Sequence, residues 1–231
     1  MTLTVGDLHF EVRRSPRRKS VQVTVDRAGE LVLFAPDEYP VEKMEAFVRE
    51  KRFWIYTKLA EKERLRSSPP QPKQCVSGEG FQYLGRNYRL LLVESQGAPV
   101  KLERGRFKMR RSDAADGREH MRRWYIQHAQ PWLAARAERF RDRVGVQPSG
   151  VAVRDLGHRW GSCGKGGKLY FHWRSILLPP SIVEYIVVHE LVHLHEPHHT
   201  PAFWTRVERA MPDFTKRKQW LAEHAQQLVA I

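Results

Sequence analysis

Two histidines and a glutamate near the end of the chain have the spacing of a metal site. His189, Glu190 and His193 form a His-Glu-x-x-His pattern. Four residues of an α-helix subtend about 400°, so the two imidazoles lie roughly 40° apart around the axis and one turn apart along it. Both rings can reach one ion, and the neighbouring carboxylate can be held over an open coordination position. The pattern predicts one zinc ion per chain, with Glu190 as the catalytic group.

The segment around these residues is predicted to be a buried helix. Apolar side chains cover nearly its whole circumference: Ile182, Val183, Tyr185, Ile186, Val187, Val188, Leu191, Val192 and Leu194. Burying two imidazoles and a carboxylate there is costly unless they have partners, and a metal ion supplies one. We also expect Ser181 to cap the helix, Glu184 to complete a capping box, and Pro197 to end the helix.

A catalytic zinc site with one open position requires a third protein ligand. His199 follows His193 by six residues, and Pro197 lets the chain leave the helix and turn between them. Thr200 and Pro201 then have the types expected at the start of another helix, whose Phe203 and Trp204 can pack back on His199. The spacing favours His199. The alternatives that it leaves open are His195, His198, Glu208 and Asp213.

A hairpin is predicted just before this helix, and it carries two further candidates. Its two strands comprise residues 159–163 and 169–173, with a glycine-rich turn between them. Charge that develops during hydrolysis needs stabilisation beyond that of the metal, so Arg159 and His172 are candidates for contact with the substrate or the oxyanion. Cys163 is predicted to be a small buried side chain, because a catalytic zinc keeps one position open.

Four ordered motifs together resemble the YgjP-like metal-dependent hydrolases, a zincin-fold family related to the SprT and WLM metallopeptidases. The motifs occupy residues 159–163, 189–194, 199–204 and 211–214, and the Tyr-Leu-Gly-Arg sequence at 83–86 also looks like the family. The resemblance implies a zincin-like metallopeptidase domain with zinc bound by His189, His193 and His199. It also implies that Glu190 is catalytic.

Hydrophobic patterning predicts an α+β fold in two domains. Alternating residues from 21 to 34 indicate a hairpin that turns at Ala28 and Gly29, and helical spacing follows from 41 to 66. Prolines after residue 67 indicate a linker, and further strands precede a long helix at 119–144. We expect residues 1–115 to be a basic β-rich region with one helical segment, and 116–231 to be the zincin-like domain with the HExxH helix. We find no internal repeat.

The charge distribution suggests a binding role for the first part of the chain. Forty Lys and Arg against 26 Asp and Glu give a net charge of +14. Residues 1–150 hold 30 basic and 19 acidic side chains, a net +11. Such a region attracts phosphate groups or nucleic acid. Its densest cluster contains Arg13, Arg17, Arg18 and Lys19.

Three functions fit these observations. The first is a zinc peptidase in which Glu190 is the general base and extended substrate pairs with the strand at 159–163. The second is a nucleoside triphosphate pyrophosphohydrolase, acting for example on UTP, whose phosphates would contact the basic cluster. The third is a protease tethered to DNA, as in the SprT relatives. The expected partners are therefore a peptide or nucleotide substrate, with nucleic acid as a further partner of the basic region.

The composition indicates the cytoplasm and no membrane partner. No apolar run approaches the roughly 18 residues that span a bilayer, and the start lacks the pattern of a signal peptide. Cys75 and Cys163 are too few and too distant in sequence for a disulfide framework.

Overall fold

The computed structural model describes residues 2–25, 30–65, 73–157 and 159–224. The strands are β1 (Thr2–Val5), β2 (Leu8–Arg14), β3 (Gln22–Val25), β4 (Leu31–Ala35), β5 (Gly80–Tyr83), β6 (Arg86–Val93), β7 (Val100–Glu103), β8 (Arg106–Arg110), β9 (Gly150–Arg154), β10 (Gly161–Cys163) and β11 (Lys168–His172). The helices are α1 (Val41–Leu65), α2 (Gly117–Val144), α3 (Pro180–Val192), α4 (Pro201–Ala210) and α5 (Phe214–His224). Within the described part of the chain, no helix combines the length and apolar character needed to cross a membrane.

The chain divides into two compact units, Met1–Pro69 and Pro70–Ile231. The first unit contains a four-stranded sheet in the order β1-β2-β4-β3, with a parallel pair at its centre. Met44, Val48 and Ile55 form the buried face of α1 in this unit's own core, because spacings of four and seven residues return to one side of a helix. The predicted hairpin strands pair as expected. The turn at residues 28 and 29 and the proline-rich linker lie outside the described residues.

The second unit begins with the same arrangement. Its first sheet has the order β5-β6-β8-β7, again with a parallel central pair between two antiparallel hairpins. A long helix follows in both cases, α1 in the first unit and α2 in the second. The structure therefore shows an internal repeat of four strands and a helix, which the sequence did not reveal. Alternating strand patterns can be preserved when individual residues are not, so a repeat of this kind leaves little signal in one sequence.

The domain boundary predicted at residues 115 and 116 differs from the division seen in the structure. Phe107 and Met109 of β8 are fully buried in the same core as Met121 and Tyr125 of α2, and the rings of Phe107 and Tyr125 lie 6.0 Å apart. The sheet of residues 80–110 therefore belongs to the core of the second unit. The prediction followed the change from strands to a long helix, whereas the shared core determines where the unit begins.

A glycine turn between β5 and β6 contacts the segment that leads into α3. The Leu84 amide donates to the Ile176 carbonyl at 2.8 Å, and the Gly85 amide donates to the Leu177 carbonyl at 3.1 Å. Gly85 has a φ of +74°, and an added Cβ would lie 2.8 Å from the Cα of Pro179. This position therefore requires glycine both for its backbone conformation and for close contact with the start of α3.

A third sheet lies next to α3 in the second unit. Its order is β10-β11-β9, so β10 forms an edge. β10 and β11 pair antiparallel, which confirms the hairpin predicted from residues 159–173, and β11 pairs with β9 in parallel. Strand β10 and helix α3 together line the candidate site described below.

The buried helix is present, but the predicted capping box is wrong. Pro179 is the N-cap residue of α3, with no side-chain cap, and Pro180 occupies the first turn. The Glu184 carboxylate instead pairs with Arg136 at 3.2 Å and Arg139 at 3.3 Å, because packing against α2 brings these cations to it. The start of α4 is as predicted: Thr200 Oγ1 accepts a hydrogen bond from the Phe203 amide at 3.3 Å.

Candidate metal centre

Three imidazoles converge at the C-terminal end of α3. Their ring centroids are 4.9 Å (His189–His193), 4.9 Å (His189–His199) and 4.8 Å (His193–His199) apart. One ring nitrogen from each lies within 4.8 Å of the others, and the Nε2 atoms of His189 and His199 are 2.9 Å apart. Nitrogens bound to one tetrahedral zinc are separated by about 3.3 Å. Only small side-chain movements are therefore needed for the three rings to share an ion.

Two aromatic side chains of helix α4 pack against this cluster. The fully buried ring of Phe203 contacts all three imidazoles, with centroid distances of 4.9, 4.6 and 4.8 Å to His189, His193 and His199. The Trp204 ring stacks on His199 at 5.6 Å. The packing of Phe203 and Trp204 against His199 is therefore confirmed, and it holds the ring that is most remote from α3.

The donor set fits a zinc ion. His193 Nδ1 lies 2.9 Å from the Glu196 carbonyl oxygen. Donation from this atom leaves Nε2 free as a ligand, as is usual for an imidazole that binds metal. His189 Nδ1 is buried and has no hydrogen-bond partner among the described residues, so hydrogen bonding within the protein does not fully offset the burial of this ring. Three imidazoles are one of the ligand sets of catalytic zinc, and they leave its fourth coordination position open for water or substrate.

The surroundings favour the neutral form of His189 and His199. Desolvation lowers the pKa of His189 to about 3, and the positive charges of His193, His199 and Lys218 contribute in the same direction. Desolvation is also the main cause of the lowered pKa of His199, followed by the charges of His193 and Lys218. A neutral imidazole offers its lone pair to a metal without first losing a proton. The cluster is therefore ready to bind a cation at neutral pH.

Glu190 lies beside the cluster and is 6% exposed. Burial raises the pKa of its carboxyl to about 8, against the positive charge of Arg159 and a hydrogen bond from the Cys163 backbone amide, which both lower it. A carboxyl that gains and loses its proton near neutral pH is suited to proton transfer. A nearby dication would favour the carboxylate form.

A cavity of about 730 Å³ opens onto the histidines and Glu190. It is lined by the hairpin strand, α3 and the segments that follow: Arg159, Trp160, Gly161, Ser162, Cys163, Gly164, Lys165, Tyr185, Ile186, His189, Glu190, His193, Pro197, His199 and Leu221. Every residue of β10 faces this space. The volume is that of a ligand pocket, so a substrate can occupy it next to the three imidazoles.

The alternative ligands lie outside the cluster formed by the described residues. His195 Nε2 is 3.1 Å from the carbonyl oxygen of Gly145, the C-cap residue of α2. Asp213 pairs with an arginine one turn later in α5, at 2.9 Å. His198 and Glu208 are exposed. The geometry therefore groups His199 with His189 and His193.

The two substrate candidates have different positions. Arg159 lines the cavity, and its Nη1 donates to Ser162 Oγ at 3.3 Å. His172 is not among the lining residues: it is 2% exposed, and its Nδ1 accepts a hydrogen bond from the Arg174 amide at 3.0 Å. Its Nε2 lies 3.3 Å from Asp155. Alternate residues of a strand face opposite sides of its sheet, and His172 is buried outside the cavity lining. This placement gives no support to a substrate contact.

Sequence reasoning missed Tyr185, which also lines the cavity. Burial and the charge of Glu190 raise its pKa to about 12, so the hydroxyl keeps its proton and remains a hydrogen-bond donor. Tyr185, His189 and His193 are spaced by four residues, which places them on one face of the helix. That spacing was the available signal, but Tyr185 was counted only as one of the apolar residues.

The unfolding free energy of the metal-free protein is expected to fall between pH 6.5 and 8. Glu190 keeps its proton to about pH 8 in the folded protein but only to about 4.5 when unfolded, so the folded state binds more protons and loses stability as pH rises. The slope is at most about 1.4 kcal/mol per pH unit. His189, with a lowered pKa, acts below pH 6.5 and in the opposite direction.

Denaturant titrations at several pH values measure this slope. Glu190→Gln is the control, because glutamine does not titrate and should flatten the decline. An equal decline in both proteins would show that another group is responsible.

A cluster of three imidazoles, a buried carboxyl and an adjoining cavity are features typical of metal-dependent hydrolases. Comparison with protein families agrees with this class, since the YgjP-like metallopeptidase domain matches residues 19–224. That match covers most of the chain, which therefore belongs to the YgjP-like metallopeptidase family. The predicted family is confirmed.

The other comparisons are less informative. A comparison with curated proteins finds no match. A crystal structure of the metallopeptidase zymogen abylysin from Pyrococcus abyssi is 25% identical and covers 38% of this chain and 89% of its own, with a TM-score of 0.36. That score is too low to establish a shared fold.

Proposed function

We propose that the chain is a zinc-dependent peptidase whose zincin-like active-site helix is α3, with Glu190 as general base. The observation that supports this most strongly is the convergence of His189, His193 and His199 within reach of one ion, next to a buried carboxyl in a substrate-sized cavity. Family membership supports the peptidase class.

The residues around the cavity would have different roles in hydrolysis. Zinc, when bound, supplies a Lewis acid that makes water acidic near neutral pH and polarises a carbonyl. The Glu190 carboxylate accepts the proton of the attacking water and passes it to the leaving nitrogen. Arg159 and the protonated Tyr185 provide a positive charge and a hydrogen-bond donor on the walls of the same cavity, where negative charge on the substrate oxygen can be stabilised.

The edge position of β10 favours an extended peptide as substrate. The His172 amide bonds to the Trp160 carbonyl, and the Gly164 amide to the Lys168 carbonyl. In an antiparallel pair, bonded and non-bonded residues alternate, so Gly161 and Cys163 direct their backbone groups away from β11. The amide and carbonyl of Gly161 are thus placed to pair with a peptide that adds to the edge of the sheet.

The proposal is tested by removing metal with a chelator, restoring zinc, and assaying casein, a peptide library and nucleoside triphosphates including UTP. We expect peptide cleavage that is lost with the metal and regained with zinc. Pyrophosphate release without peptide cleavage would instead identify a nucleotide hydrolase.

No observation favours the nucleotide or DNA-tethered alternatives. The basic cluster of Arg13, Arg17, Arg18 and Lys19 belongs to the first unit, and Arg13 is paired with Glu11 at 2.8 Å. Neither the family match nor the cavity residues point to nucleotides, so the peptide substrate remains the proposal.

A further inference from the structure

The Arg-Trp-Gly-Ser-Cys motif at residues 159–163 contributes no metal ligand, yet it forms β10 and lines the cavity throughout. Gly161 lies against the Glu190 side chain, and the charge of Arg159 and the Cys163 amide both lower the pKa of its carboxyl. These three observations all concern the carboxyl that we propose as the base.

We propose that Gly161 and the Cys163 amide are positioning groups that hold the Glu190 carboxylate in its catalytic orientation. The statement that this orientation is catalytic rests on the proposed function of Glu190. The contact between β10 and Glu190 is independent of that function.

Gly161 provides the space that the Glu190 side chain occupies. An added Cβ at this position would lie 2.5 Å from Oε1, 2.6 Å from Cγ and 2.7 Å from Cδ of Glu190. Non-bonded carbon atoms normally remain about 3.5–4.0 Å apart. Any larger residue would therefore displace the carboxylate, because α3 is packed into the core and its backbone cannot retreat without disturbing many contacts.

The Cys163 amide fixes the direction of the carboxylate. The alternation along β10 turns this amide to the edge away from β11. The Glu190 carboxylate lies against Gly161 of the same strand, and we infer that the Cys163 amide donates to it, in agreement with the lowering effect of this amide on the pKa of Glu190. Gly161 turns its own amide to the same edge, but the described residues provide no acceptor for it. One amide of the strand thus binds the base, while the other remains available to a substrate peptide. A single short strand can therefore align the Glu190 carboxylate with the backbone of a substrate peptide.

Arg159 adds a charge to this arrangement. Its guanidinium donates to Ser162 Oγ at 3.3 Å, and its positive charge favours the ionised form of Glu190. Within the described residues Arg159 forms no ion pair at salt-bridge distance, so Ser162 is its hydrogen-bond partner on the strand. Arg159 thus favours the carboxylate form of Glu190, while Gly161 and the Cys163 amide hold its position.

The activity test compares Gly161→Ala with Gly150→Ala. Both glycines lie in strands of the same sheet, but an added Cβ at Gly150 meets nothing within 4 Å. We expect Gly161→Ala to bind zinc and to retain its KM, while kcat falls about 10- to 100-fold because the base is misplaced. Gly150→Ala should behave as the unmodified protein. Full kcat in zinc-bound Gly161→Ala would overturn the proposal.

Amide hydrogen exchange on the metal-free protein provides a readout that needs no activity. In the unmodified chain the Cys163 amide should exchange about 10-fold or more slowly than the Gly161 amide, since only the former has a charged acceptor. Glu190→Ala should remove this protection, and so should Gly161→Ala. Equal exchange of the two amides in the unmodified chain would overturn the contact itself.

The two measurements separate the inference from the proposed function. Protection of Cys163 that depends on Glu190, in a protein without peptidase activity, would support the contact and reject the function. Peptidase activity without such protection would support the function and reject the role of β10. If Gly161→Ala does not fold, the exchange comparison between the unmodified chain and Glu190→Ala still decides.

Discussion

Replacing His189 with alanine is expected to remove zinc from the protein and to abolish hydrolysis. The change deletes one of three converging imidazoles, and the two that remain cannot complete a catalytic zinc site. We expect zinc affinity to fall more than about 100-fold. Loss of a group that only hydrogen-bonds to a metal ligand already costs up to about 100-fold, and loss of a ligand itself should cost more. Elemental analysis after dialysis, together with a peptide assay, measures both effects.

His198→Ala is the matched control for this change. His198 is exposed and lies outside the cluster, so its loss should leave zinc content and activity unchanged. Equal zinc in the His189 and His198 variants would mean that the imidazoles do not form the metal site. Negligible zinc in both variants and in the unmodified chain would reject a zinc enzyme altogether.

The second large effect is expected from Glu190→Gln, which should retain zinc and lose most activity. Glutamine has nearly the same size but cannot accept a proton, so the geometry is kept while proton transfer is lost. We expect kcat to fall about 10²- to 10⁴-fold, the usual contribution of a general base. Zinc content measured on the same sample distinguishes this result from loss of the metal.

Glu208→Gln is the corresponding control. Glu208 is an exposed carboxylate on α4 and was one of the alternative ligands, so an unchanged enzyme would also exclude it from the site. If Glu190→Gln were fully active, another group would have to take the proton, and the proposed role of Glu190 would be wrong.

The metal cluster was predictable because its determinants are local. A spacing of four residues places His189 and His193 on one face of a helix, and a proline, a cap residue and a second helix return His199 to the same place. Each step depends on residues within a short stretch. The structure brings the three rings together as that spacing predicts.

The positions of His172, Tyr185 and Gly161 were not predictable in the same way. What His172 meets depends on which elements pack on each face of the sheet, and the role of Gly161 depends on a helix that follows much later in the chain. Tyr185 was hidden among apolar residues on a buried helix. Such contacts are set by tertiary packing, which a single sequence does not specify.

The repeat of four strands and a helix has an evolutionary consequence. Only the second copy is followed by β9–β11 and α3, and every residue that lines the cavity comes from this later part of the chain. The first copy has an interior of its own, and none of its described residues is among those that line this cavity. Because the first copy supplies no described residue of this cavity lining, its surface can accept substitutions that would alter the cavity if they were made in β10 or α3.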